Sequence, residues 1–261
     1  MADPTRPTEP GRSESDRSEF FDSLQKGVLL GAAVLALVLP PASMGARQPL
    51  AKTAPHAIAR VDAVVRHADF AGETPTEDVR QLANWSVHTG DHQNLNFIIL
   101  DKKDARVWVF DTAGRLKAQS PVLLGAAVGD DNAPDIGTKA IADVKPEEKT
   151  TAAGRFIAEM GMNTRNEDVV WVDYNAAVSM HRVLTTNKDE HRLERLATPT
   201  PADNRISYGC INLPKAFYEN VVAPTVRTGG AVIYVLPETR SAQQVFGSWD
   251  VDKPGTRVAL N

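Results

Sequence analysis

From residue 93 onward the apolar residues come in short runs cut by turn-forming residues, and this texture restricts the chain to a domain built of strands. Residues 95–100 and 106–110 are apolar runs joined by a charged link over 101–105, which reads as a hairpin. Val107, Trp108 and Val109 are residue types that pack well on a pleated surface. Thr112, Ala113 and Gly114 make the next turn, and residues 121–128 supply another strand that stops at Gly129. Further strands are expected at 154–160, 169–174, 176–183 and 231–236, with one helix at 215–222. Many strands at short spacing with few helices predict a mainly β domain of sandwich or barrel type. No internal repeat and no glycine-rich phosphate loop interrupts this pattern.

The N-terminal third has a different texture. Residues 1–26 are polar and too poor in apolar side chains to fold alone, so a disordered tail is expected. Residues 27–39 read GVLLGAAVLALVL, and no charge occurs from Gly27 to Ala46. Twenty helical residues span about 30 Å, the thickness of a bilayer's hydrocarbon. Residues 27–46 therefore read as a signal anchor, or as a signal peptide cleaved at the small residues near Ser43 to Ala46. Either outcome places the remainder in the cell envelope, periplasmic or otherwise outside the cytoplasm. Residues 47–92 read as a helical spacer. Its first helix would carry Ile58, Val61, Val64, Val65 and Ala68 on one face over 57–70. A second would start at Thr74, Pro75 and Glu77, present Val79, Leu82, Ala83 and Val87, and end before Gly90. The strand-rich domain then runs over 93–237 and a C-terminal tail over 238–261.

Charge and cysteine content narrow the chemistry. Lys and Arg total 29 against 33 Asp and Glu, which excludes the basic footprint of a nucleic-acid binder. His56, His67, His88 and His92 lack metal-ligand spacing, and no metal or organic cofactor is expected. With a single cysteine, Cys210, neither an internal disulfide nor a multi-cysteine metal site can form. A thiol redox cycle generally needs a resolving second cysteine, which is absent. Cys210 sits in RISYGCINLP, and His181 lies 29 positions earlier in the strand-like AAVSMHRV. A free thiol is mostly protonated at neutral pH, so a nucleophilic cysteine needs a base, and imidazole suits that role. Gly209 allows a sharp turn whose N–H groups can meet a developing oxyanion. The pair alone fits two readings: a nucleophile with its base, or a small buried thiol beside a structural histidine.

The segment Ser207-Tyr208-Gly209-Cys210-Ile211-Asn212, with His181 upstream, resembles the signature of L,D-transpeptidase catalytic domains. Thr151-Ala152-Ala153-Gly154-Arg155-Phe156 is similar to that family's Thr-Pro-x-Gly-x-Phe segment, with Ala152 in place of the proline. The resemblance covers roughly residues 93–237. It implies a cysteine acyltransferase acting on peptidoglycan stem peptides, with Cys210 as nucleophile and His181 as general base. Backbone N–H groups around Tyr208, Gly209 and Cys210 would hold the oxyanion, while Ser207 and Asn212 brace the loop. Tyr208 stands where the family carries a histidine. The spacer from 182 to 206 is 25 residues, longer than the family's, and its charged part at 188–195 reads as a solvent-facing loop or short helix. Two other readings remain: a peptidoglycan-binding envelope protein with a degenerate site, and an L,D-carboxypeptidase that uses water as acceptor. Oligomeric state is not encoded in any of these features.

Overall fold

The computed structural model describes residues 64–253. The expected tail at 1–26, the apolar segment at 27–46 and the start of the spacer lie outside them. Among the described residues no helix is long and apolar enough to cross a membrane.

Helix α1 (Glu77–Thr89) takes in the expected Glu77, but its N-cap is one residue before it, not at Thr74. Thr76 is the N-cap, and its hydroxyl accepts from Val79 N–H while donating to Asp101 Oδ2 at 2.6 Å. Glu77 and Asp78 in the first turn favour the positive end of the helix dipole. Gly90, at φ 74°, closes the other end in the left-handed conformation. Val79, Leu82, Ala83 and Val87 form the buried stripe.

Of the helix expected over 57–70, residues 57–63 lie outside the described residues, and 64–70 are not helical. Asp69 bridges to Arg115, accepting from Leu116 N–H at 2.7 Å and donating to Gly114 O at 2.9 Å. Phe70 packs edge-on against Trp108 and Phe110. The apolar stripe was too thin to hold a helix there: Val64 is 86% exposed, while pairing at a hairpin end buries Phe70 instead.

Eight strands form one mixed sheet in the order β3-β2-β1-β10-β5-β6-β7-β9. They are β1 (Asn96–Asp101), β2 (Arg106–Phe110), β3 (Leu116–Pro121), β5 (Gly154–Met162), β6 (Asp168–Asp173), β7 (Val178–Arg182), β9 (Ile211–Leu213) and β10 (Ala231–Val235). A separate parallel pair joins β4 (Leu124–Gly125) to β8 (Arg205–Ser207). Of the strand expected over 121–128 only Pro121 and the two residues of β4 are strand, and β3, which ends at Pro121, was not expected. Within the large sheet, β1 with β10 and β7 with β9 run parallel, and the other neighbours are antiparallel. The fold is mainly β with few helices.

Strands β1 and β10 read as unbroken apolar runs because both of their faces are covered. Ile98, Leu100, Ile233 and Val235 enter one core, which also takes Tyr218, Val222 and Val226 from the helical segment after β9. That segment comprises α3 (Lys215–Phe217), a π-turn (Tyr218–Val222) and α4 (Ala223–Gly229), preceded in chain order by α2 (Arg192–Ala197). Phe97, Ile99, Val232 and Tyr234 face the opposite core, under α1. Phe97 stacks on its cross-strand partner Phe110 at 4.5 Å. The first part of the expected C-terminal tail belongs to this second core. There α5 (Ala242–Phe246), capped by Ser241, brings Phe246, Trp249 and Val251 against it. At the other end of the sheet only one face is covered. Ala158, Val170, Val172, Met180 and Ile211 point into the first core. The reverse face of β5, β6 and β7 carries Ile157 and Trp171 in the open, and the candidate site lies on it.

Candidate active site

Parallel pairing of β7 with β9 sets Met180 opposite Ile211 and His181 opposite Asn212. Met180, Ile211 and Leu213 are fully buried in the core. Strand alternation therefore turns Ser179 and His181 to the other face, at the edge where Cys210 precedes β9. Cys210 is half-buried. Its Sγ lies 3.5 Å from the Ala177 carbonyl oxygen and 3.8 Å from Ser179 Oγ. His181 Nδ1 is 2.7 Å from the Arg182 carbonyl, and since a carbonyl only accepts, Nδ1 carries the proton and Nε2 the lone pair.

Burial pushes the Cys210 thiol up, but the neighbouring His181 imidazole pulls it down, helped by the Ser179 backbone N–H and hydroxyl. The balance leaves the thiol below its ordinary value. Alkylation of the folded protein by a neutral electrophile should therefore show an ionisation midpoint below the usual thiol value of about 8.5. The unfolded protein should show the ordinary midpoint. His181→Gln should move the folded midpoint upward, since burial would then be opposed by Ser179 alone. A wild-type midpoint above the unfolded control would show that burial wins.

The turn before Cys210 is braced from several sides. Ser207 Oγ donates to the Cys210 carbonyl at 2.6 Å and accepts from Gly209 N–H at 3.1 Å. Asn212, 1% exposed, donates to the same carbonyl at 3.2 Å. Its Oδ1 accepts from Arg192 at 2.6 Å, and Arg192 also pairs with Glu190. Gly209 has φ 129°, and a Cβ there would sit 2.7 Å from the Thr150 carbonyl oxygen, so only glycine fits. Thr151 Oγ1 donates to Gly209 O at 2.8 Å and accepts from Gly125 N–H at 3.0 Å. The Gly209 amide, which the sequence reading expected among the oxyanion donors with those of Tyr208 and Cys210, donates here to Ser207 Oγ. The Tyr208 side chain is 45% exposed and lies under the Lys149 ammonium, 4.1 Å from the ring centroid.

Behind this turn lies a buried charge cluster. Lys102, with no exposed side chain, donates to Gly129 O, Asp130 Oδ1 and Thr151 O at 2.6, 2.9 and 2.9 Å. Glu238 lies 3.2 Å from the same ammonium and also binds Arg205. Asp130 accepts further from Thr239 and from the backbone N–H groups of Glu238, Thr239 and Arg240. The cluster thus fixes the loop that carries Thr151 to the turn. Among the described residues no group of three His, Cys, Asp or Glu side chains could hold a metal ion.

Sequence reasoning missed three contributors: Ser179, Ala177 and Arg192. Ser179 was accessible, since it sits two residues before His181 on a strand and so shares its face. Arg192 gave no local signal, because its partner Asn212 is 20 positions away.

Three solved structures are similar to this chain. The Ldtfm–avibactam carbamoyl enzyme is 14% identical with a TM-score of 0.33, over 55% of this chain and 49% of that one. The catalytic domain of the E. faecium L,D-transpeptidase is 15% identical with a TM-score of 0.32, over 54% and 96%. The helical cell shape determining protein Pgp2 from Campylobacter jejuni, as a mutant, is 14% identical with a TM-score of 0.34, over 64% and 58%. The match spans about half the length of the first of them. No family model and no curated protein matches the chain.

Proposed function

We propose that the chain is a cysteine acyltransferase of the L,D-transpeptidase type, acting on peptidoglycan stem peptides in the cell envelope. The observation that carries this reading is the setting of Cys210: its sulfur lies beside Ser179 Oγ and the Ala177 carbonyl, on the strand edge that carries His181, directly after the Ser207-Tyr208-Gly209 turn. In this mechanism the Cys210 sulfur bonds to the carbonyl carbon at the L-centre of the diaminopimelate residue. His181 Nε2 takes the thiol proton and passes it to the nitrogen of the departing D-alanine as the C–N bond breaks. The N–H groups of Tyr208 and Cys210 steady the oxyanion. An amine of a neighbouring stem, or water, then attacks the thioester, gives its proton to His181 and frees the thiolate. No metal or organic cofactor enters. The uncharged run at 27–46, read as an anchor or signal, is consistent with a substrate outside the cytoplasm.

Mass analysis of a disaccharide tetrapeptide incubated with the detergent-solubilised full chain tests the reading. Loss of D-alanine marks hydrolysis, and exchange for an added D-amino acid marks transfer to an amine. Binding with neither product would leave the chain as a peptidoglycan-binding protein with a degenerate site.

A further inference from the structure

The sheet face that carries Ser179 continues across β6 to β5, where Ile157 and Glu159 are exposed. Register sets Trp171 opposite Ser179 on one side and opposite Glu159 on the other, so these three share a face. Trp171 stands about 10 Å from Cys210, two strand spacings away. A groove of about 360 Å³ opens there, lined by Arg155, Ile157, Glu159, Trp171 and Tyr174 among others. Trp171 and Tyr174 meet at 5.1 Å and 72°. Tyr174 is 73% exposed, which leaves a large aromatic surface in water. The same turn that displays Tyr174 supplies the Ala177 carbonyl beside Cys210 Sγ. Gly161 makes room for the indole: a Cβ there would lie 2.5 Å from Trp171 Nε1.

The charge on this shelf selects among occupants. The Arg155 guanidinium is held by Asp91 at 2.8 Å, so its charge is answered. Glu159 is exposed, and Asp173 lines the same groove. An anionic peptide terminus meets repulsion there. A neutral sugar ring meets the reverse: its apolar C–H face covers an aromatic side chain, and its hydroxyls donate to carboxylates. We propose that the Trp171–Tyr174 shelf is a saccharide subsite that takes an amino-sugar unit of the glycan strand while the stem peptide reaches Cys210. This assignment rests on the peptidoglycan reading above for the identity of the sugar, though saccharide binding can be measured without turnover.

The test uses two readouts on the full chain. In the first, saturation-transfer NMR with an N-acetylglucosamine trisaccharide should show sugar protons in contact with aromatic side chains. Tyr174→Ala should abolish the effect and Trp171→Phe should weaken it. In the second, kcat/KM for a disaccharide tetrapeptide is divided by that for the same tetrapeptide without sugar. This ratio should exceed one for wild type and fall about fivefold to tenfold in Tyr174→Ala, the scale of one lost aromatic contact. Transfer that survives in Tyr174→Ala, or a wild-type ratio of one without sugar binding, overturns the subsite. If the sugar-free peptide perturbs Tyr174 as strongly as the glycan does, the occupant is peptide and the assignment fails. Saccharide binding that depends on Tyr174, in a chain that turns over no stem peptide, supports the subsite and sinks the acyltransferase reading.

Discussion

Cys210→Ser should cut turnover of a stem peptide by at least about a hundredfold, since removing a covalent nucleophile normally costs orders of magnitude. A serine hydroxyl holds its proton far more tightly than a thiol does, and the single imidazole at the site is poised for the easier transfer. The fold should be spared. The side chain is half-buried, and the turn around it is held by the Cys210 carbonyl, which Ser207 and Asn212 bind whatever side chain is present. Thermal unfolding measured beside kinetics separates the two effects. A variant that keeps more than about a tenth of wild-type turnover would remove Cys210 from the nucleophile's role.

Lys102→Met should produce the largest loss of stability of any single change on this face. Truncating one member of a buried ion pair leaves its partners charged and dry, which costs about 3–5 kcal/mol. Here Asp130 and Glu238 are 1% and 5% exposed, and two backbone carbonyls would also lose their donor. Burial pushes the Asp130 carboxyl up, but Thr239, two backbone N–H groups and Lys102 hold it well below the usual carboxylate range. A depressed carboxylate contributes stability that is present above its unfolded value, near 4, and lost as pH falls further. Acid should therefore narrow the gap between wild type and variant. Lys103→Met is the matched control one residue away. Its pair with Asp78 is about half exposed on both sides, so its loss should cost at most about 1 kcal/mol in urea unfolding. Equal losses for the two lysines would show that the buried cluster adds nothing of its own.

Strands β1, β2, β5, β6, β7 and β10 could be read from the chain because burial makes them continuously or alternately apolar, and hydrophobic periodicity is a local signal. Helix α1 was legible for the same reason, with Glu77 and Gly90 marking its ends. The segment at 64–70 misled because its weak stripe competes with a pairing at Asp69 that depends on a partner nearly fifty residues away. Strands β8 and β9 are three residues each and too short for any period to show. At the site, Cys210 and His181 stood out by residue type, and their meeting required only that two strands pair. The braces did not stand out. Arg192 and Lys102 act through contacts 20 to 49 positions distant, and nothing in their neighbourhoods marks them.

The parallel pairing of β7 and β9 also sets the order in which the thiol acquires its reactivity. Two parallel strands cannot be joined by a tight turn; here the crossover runs through residues 183–210 and includes α2 and β8. Loop closure of that length must come before the strand contacts that reward it, so this edge forms late relative to the β1–β2 hairpin. Until it forms, Cys210 is an ordinary, mostly protonated thiol, and thiols in that form resist oxidation better than thiolates. The chain therefore spends its unfolded life with the nucleophile switched off. Its sole cysteine becomes vulnerable only once the sheet edge has closed around it.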